Sequence, residues 1–313
     1  VLAPASAERV EFPRVIHALE TAIEDSGGGA EGRAAVADRV AYTWFNRIVA
    51  LRFMDANGYT GIGVVSPPNG SDRGQPEILA EAKRGIFDDQ IVQSRTRDAV
   101  SDLLNGSRRS DNAQGEAYSL LLVDYCRHWH RTMPFMFSHE GDFTEILMPG
   151  NLLADDSLLD LAVKELTSEA CRDVEVIGWL YQFYISELKD AVYAGFNKVK
   201  AGPAEIPPAT QIFTPHWIVR YLVENSVGRL WMLNRPSSPL VEAMPFYLAP
   251  TDVNGDFLKI SSPEELKVID PACGSGHLLT YAFDLLYAIY EEEGYAPSEI
   301  PGLILGKNLH GTE

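Results

Sequence analysis

The sequence predicts a helical amino-terminal domain followed by the beginning of an α/β domain. Apolar residues recur at spacings of three and four through the first two hundred positions, which is the rhythm of a helix with one buried face. A stretch rich in Pro and Gly, residues 201–210, then interrupts it. Beyond the break, a short apolar run ends in an acid and is followed by a glycine turn and a new helical stripe. A length of 313 residues with 46% hydrophobic and 22% charged residues fits a folded chain of two domains.

Each element can be justified in order. From Ala35 to Asn57, Val40, Trp44, Ile48 and Leu51 share one face, and Gly58 stands where a left-handed stop residue is expected. Arg39 and Arg47 fall off that stripe; Arg47 and Arg52 read as basic residues on a solvated helix face, with nucleic-acid contact as the sharper alternative. Residues 116–131 and 158–171 can also form helices. Between Glu175 and Phe196, Ile177, Leu180, Tyr184 and Leu188 keep the same rhythm up to Gly195. Residues 1–200 are therefore expected to form the helical domain, 201–210 the linker and 211–313 the start of the second domain.

In that second domain Phe213-Thr214-Pro215 opens a helix, with the Thr214 hydroxyl as the expected cap and Pro215 at the first helical position. Val219, Val223, Val227 and Leu230 supply its stripe, and Leu266–Asp270 reads as a buried strand reaching its carboxyl end.

Composition excludes several functions. The chain has 26 Lys and Arg against 44 Asp and Glu, a formal net charge of −18, and residues 201–313 alone hold 6 against 14. A basic nucleic-acid cradle spread over the whole surface is ruled out. No apolar run has the length to cross a bilayer, and the first residues do not read as a signal peptide. Cys126, Cys171 and Cys273 are odd in number and show no paired spacing, so a disulfide framework has no support and a soluble, cytoplasmic protein is expected. The chain lacks an initiator Met and stops at Glu313, which reads as part of something longer.

The chemistry gathers at Asp270-Pro271-Ala272-Cys273-Gly274-Ser275-Gly276, followed by a helix on which Leu279, Phe283, Leu286 and Tyr290 share a face. Small residues let backbone approach a ligand, and the first N–H groups of a helix suit a carboxylate or phosphate. No Gly-Lys-Ser/Thr follows and only two glycines are present, so neither the triphosphate loop nor the three-glycine dinucleotide fingerprint fits. The acid at the strand tip repels a phosphate and suits a cationic amine. An amino-acid group carries amine and carboxylate together, and S-adenosyl-L-methionine has such a group.

Blander readings attach to the other reactive side chains. Cys273 has no assigned base and reads as a small residue beside a glycine turn rather than a nucleophile. Cys126, His128 and His130 lack a second ligand pair of suitable spacing, and no metal is expected there. His277 reads as a packing residue near the pocket rather than a general base.

Asp270 through His277 resembles motif I of the amino-methylating DNA methyltransferases, and Phe213-Thr214-Pro215 resembles their upstream motif X. The order, X before I, is that of the gamma-type adenine enzymes and of type I and IIG modification subunits. Ala41-Tyr42-Thr43-Trp44-Phe45-Asn46-Arg47, Leu51-Arg52-Phe53-Met54 and Phe213 through Val227 are similar to the PglX methyltransferases of BREX phage-defence systems. The resemblance runs from about residue 36 to the end. It implies a Rossmann-like domain that binds S-adenosyl-L-methionine, with transfer of the methyl group to the N6 amine of a flipped DNA adenine.

Carried over residue by residue, Asp270 faces the cofactor's amine, and Pro271, Ala272, Cys273, Gly274 and Gly276 form the turn whose amides meet its carboxylate and sugar side. Phe213 and Thr214 close the pocket, and Glu313, at the end of a second strand begun by Leu309-His310-Gly311, accepts from the ribose hydroxyls. The family's catalytic Asp/Asn/Ser-Pro-Pro-aromatic tetrapeptide and its target recognition domain are absent from these 313 residues. The chain alone is therefore expected not to methylate, with DNA and other defence proteins as partners of the complete protein. The glycine turn reports the cofactor and not the substrate, so RNA or protein methylation, or a non-catalytic interaction module, stand as alternatives.

Overall fold

The computed structural model describes the chain apart from residues 1, 4–5, 69–73, 173–174, 177, 179, 181–185, 196–201, 203–205, 207–213, 252–254, 275 and 313. Two compact units divide it, Val1–Ile177 and Gly178–Glu313. The expected linker, 201–210, lies mostly outside the described residues.

The first unit is helical: α1 (Ala7–Glu11), α2 (Pro13–Asp25), α3 (Gly29–Ala56), α4 (Glu77–Ala82), α5 (Ser94–Leu104), α6 (Ala113–His130), α7 (Phe143–Ile146) and α8 (Leu158–Glu165). Val40, Trp44, Ile48 and Leu51 are buried on α3 as the spacing predicts. The helix stops as expected. Gly58 takes φ +72°, the Tyr59 N–H donates to Met54 O and the Gly58 N–H to Asp55 O, which satisfies the last carbonyls. Asp55 in turn accepts from Thr60 Oγ1 and from the amides of Val64, Val65 and Ser66, and so folds the following loop back onto the helix.

Arg47 and Arg52 correct the sequence reading, because both are inside: Arg47 is 3% exposed and Arg52 2%. Arg47 donates to Met136 O and Thr144 Oγ1 and stacks 5.0 Å from the Trp44 ring centre. Arg52 donates to Leu166 O and Ser66 Oγ. These partners lie up to 114 positions away in sequence, so a local pattern could not reveal them. Burial lowers the Arg47 pKa from its ordinary value, opposed by the nearby negative groups.

The second unit contains α9 (Ser186–Gly195), α10 (His216–Val223), a π-helical turn (Glu224–Gly228), α11 (Arg229–Asn234), strand β1 (Val268–Asp270), α12 (His277–Glu292), α13 (Ile300–Leu303), a second π-helical turn (Ile304–Asn308) and strand β2 (Leu309–Gly311). The strands pair in parallel, Val268 opposite Leu309 and Asp270 opposite Gly311, and α12 packs on both. A parallel pair needs a helical crossover, and α12 provides it. Strand residues alternate sides: Val268 packs into the core with α12, whereas Ile269 is 68% exposed.

Two expectations for α10 are corrected. The helix begins at His216 with Pro215 as its N-cap and has no side-chain cap, so Thr214 stands one residue too far upstream for its hydroxyl to act as one. Pro215 instead presents its carbonyl, which accepts from the amides of Ile218 and Val219. The stripe continues Val219, Val223, Val227, Trp231, and Leu230 is only half-buried. Steps of four overshoot the 3.6-residue turn of an α-helix, and the wider π turn keeps those four residues in line.

Candidate functional site

The turn after β1 is built by the strand pair itself. β1 ends at Asp270, just before Pro271, and the buried Asp270 side chain accepts from the Ala272 amide through Oδ1 at 3.2 Å. The end of β2 is laced to the same turn. The Thr312 amide donates to Asp270 O and the Cys273 amide to Thr312 O, both at 3.0 Å, and Thr312 Oγ1 donates to Pro271 O at 3.2 Å. Gly311 is where the two segments come closest: a Cβ there would meet Leu279 Cδ1 at 2.8 Å and Cys273 Sγ at 3.3 Å. Gly311 and Thr312 thus hold the end of β2 against the turn. The sequence reading took Gly311 only as part of a strand start, although a glycine two positions before the acid was the available signal.

The turn closes with the Gly276 amide donating to Cys273 O at 2.7 Å. Gly274 has φ +51° and Gly276 φ +82°, a region that side chains disfavour, and among the described residues no atom beyond the chain neighbours lies within 4 Å of a Cβ built on either. These are glycines facing open space, unlike Gly311, which is packed. Gly276 caps α12, whose first turn has no side-chain cap and carries the positive end of the helix dipole. From Asp270 to Thr280 there is no Lys or Arg. A carboxylate below and a helix N-terminus above suit a ligand with one positive and one negative group.

The bend at Thr214 stands toward the same end of α12. The His216 ring meets the Tyr281 ring edge-on at 5.8 Å, one turn into α12. Farther along, Gly228 lies beside Leu285, and Trp231 Nε1 donates to Glu292 Oε2 at 3.0 Å near the end of α12. Partners advance together, so the segment 216–234 runs parallel with α12 and the two helices start at a common end. Thr214 is half-buried there, as are Cys273 and Gly276, while Pro271, Ala272 and Gly274 are exposed. Phe213, Ser275 and Glu313 lie outside the described residues.

Other reactive groups belong to the first unit. Cys126 is buried in the first unit's core, where burial pushes its thiol up to about 12. His130 Nδ1 lies 2.8 Å from Phe137 O. Among the described residues no group of three His, Cys, Asp or Glu side chains is placed to hold a metal. Ser66-Pro67-Pro68 matches three positions of the catalytic tetrapeptide, but Asn69 replaces the aromatic residue. Ser66 is buried, and its Oγ is occupied by Arg52. No helix among the described residues is long and apolar enough to cross a membrane.

No protein-family model matches the chain. It is 41% identical over 291 residues to the adenine-specific methyltransferase BrxX of Escherichia coli O9:H4 (strain HS), covering 90% of this chain and 23% of that protein. It is 34% identical over 293 residues to the adenine-specific methyltransferase PglX of Lacticaseibacillus casei (strain Zhang), covering 88% of this chain and 24% of that protein. The chain thus spans about a quarter of the length of these relatives.

Proposed function

The chain is a relative of the PglX-type adenine-specific methyltransferases, and from that premise we propose that it supplies the cofactor-binding part of a DNA adenine-N6 methyltransferase. The observation that carries the reading is the shared end of α10 and α12: the helix that follows Thr214 and the helix that follows the Asp270–Gly276 turn begin side by side, with His216 against Tyr281. The residues present fit S-adenosyl-L-methionine. A Cβ-free, open turn admits the ligand's backbone-sized group, the α12 N-terminus takes its carboxylate and Asp270 takes its ammonium.

S-adenosyl-L-methionine, when bound, supplies a methyl group made electrophilic by a sulfonium. This chain's own part is orientation. Asp270 keeps its turn in shape through Oδ1 and presents negative charge at the strand tip. Gly274 and Gly276 keep side chains out of the ligand's space, and the family resemblance assigns Phe213 and Thr214 to the opposite wall. The family resemblance assigns the ribose hydroxyls to Glu313, which lies outside the described residues. Alignment of this kind is a large part of catalysis when two reactants must meet in line.

We place the acceptor-base chemistry outside these 313 residues, since the aromatic-ended tetrapeptide does not occur in them. The parallel β1–β2 pair with its helical crossover supports a Rossmann-like domain. Parallel sheets are normally covered on both faces, and Ile269 leaves one face for further elements. The complete protein then methylates DNA in the cytoplasm as part of BREX phage defence, with DNA affinity drawn from regions other than this acidic chain.

Calorimetric titration of S-adenosylhomocysteine into the full-length protein tests the pocket. Wild type is expected to bind and Gly274→Asp to lose binding, because the new carboxylate enters ligand space beside the ligand's own carboxylate. Equal affinity in the two proteins removes the assignment.

A further inference from the structure

We propose that Arg220, Glu224 and Tyr281 are positioning residues for the cofactor pocket: a polar clamp, closed on the buried Glu224 carboxylate, that fixes where the Thr214 bend stands relative to the Asp270–Gly276 turn. This rests on the cofactor reading above and deepens it. Glu224 is 0% exposed and sits where α10 passes into the π-helical turn. Its carboxylate accepts from Arg220 Nε at 3.2 Å, from Tyr281 OH at 2.8 Å and from the Phe246 amide at 2.6 Å. Arg220 Nε also donates to Tyr281 OH at 3.2 Å, and the guanidinium lies 5.4 Å from the Tyr281 ring centre and 5.5 Å from that of Phe246.

Tyr281 is the fifth residue of α12, one turn beyond Gly276. It meets α10 at His216 and Arg220 and reaches Glu224, three positions spaced by four along one face. Apolar stripes alone tolerate sliding, since Val219 or Val223 would find an equivalent groove one turn away. A buried carboxylate does not slide, because every displaced donor leaves a charge without a partner. The π turn begins at this same residue, and such turns are frequent at functional sites. The clamp lies at the pocket end of the helix pair.

The far end of the same pair offers an internal control. There Glu292 accepts from Trp231 Nε1 and, at 2.8 Å, from Ser238 Oγ. Both clusters hold a carboxylate between helices, and only one adjoins the glycine turn. The test is calorimetric titration of S-adenosylhomocysteine into full-length wild type, Tyr281→Phe, Arg220→Lys and Ser238→Ala, with Tm measured for each.

Tyr281→Phe removes one hydroxyl and is expected to weaken binding about fivefold, the worth of one hydrogen bond. Arg220→Lys keeps the charge but loses the stacked fork, and it weakens binding in the same direction. Ser238→Ala is expected to lower Tm about as much as Tyr281→Phe while leaving affinity unchanged. Unchanged affinity in Tyr281→Phe and Arg220→Lys, or equal weakening in Ser238→Ala, overturns the clamp. A wild-type protein that takes up no ligand overturns the cofactor reading itself, so the two failures are distinguishable.

Discussion

The two units bury polar groups for opposite ends. In the first, Arg47 and Arg52 are enclosed and their hydrogen bonds run to backbone carbonyls and hydroxyls of their own unit. In the second, Asp270 is tucked at a strand tip beside glycines whose missing side chains leave empty space. The contrast teaches how to tell packing chemistry from binding chemistry: the two buried guanidiniums are held by hydrogen bonds to their own core, whereas the strand-tip carboxylate combines charge with space beside it.

The largest expected effect breaks the closed side of that comparison. Arg47→Met strips Met136 O and Thr144 Oγ1 of their donor inside the core, which is expected to cost about 2–4 kcal/mol. Urea denaturation of the first unit's signal measures the loss, and cofactor affinity should not change. A stability within about 0.5 kcal/mol of wild type would mean that the enclosed cation is dispensable.

A smaller effect comes from alkali. Native Cys126 holds its proton up to about 12 because it is buried, whereas the unfolded thiol releases it near its ordinary value of 9.0. The folded state therefore binds more protons in that window, and stability falls as pH rises through it. The slope is up to about 1.4 kcal/mol per unit from this group. Burial raises Tyr118 as well, and its contribution has the same sign. Cys126→Val should flatten the decline of Tm between about pH 9 and 12; an unchanged slope would show that the thiol does not titrate on unfolding.

The smallest effect sharpens the open side. Gly311→Val drives a side chain toward Leu279 and Cys273, whose ends can yield in part, so a loss of about 1–2 kcal/mol is expected. Affinity for S-adenosylhomocysteine should fall with it, because β2 no longer closes on the turn. Retained affinity with reduced stability would separate the strand from the pocket.

Much of this was legible in the sequence, element by element. The α3 stripe and its Gly58 stop follow from local periodicity and glycine geometry, which neighbours within one helix decide. The strand, glycine turn and helix of the second unit were legible for the same reason, since Val268–Asp270 and His277–Glu292 are short-range patterns. Arg47 and Arg52 were not, because a guanidinium reads as surface until its distant carbonyl partners are known. The sequence spacing puts Leu230 on the stripe where the structure has Trp231, because a π turn shifts the phase of a stripe without changing its composition. Of the pocket residues, the turn was visible as a motif, but the lacing by Thr312 depends on strand register, which spacing does not give.

The central claim is that the Thr214 bend and the Asp270–Gly276 turn face one ligand. Ultraviolet cross-linking of radiolabelled S-adenosyl-L-methionine to the full-length protein, followed by tryptic digestion and mass spectrometry, tests it directly. Label is predicted on the peptide Val268–Lys307 or on the one ending at Arg220, and competition by S-adenosylhomocysteine should remove it. Competed label found only on peptides of Val1–Ile177, or only on parts of the protein beyond this chain, would contradict the account.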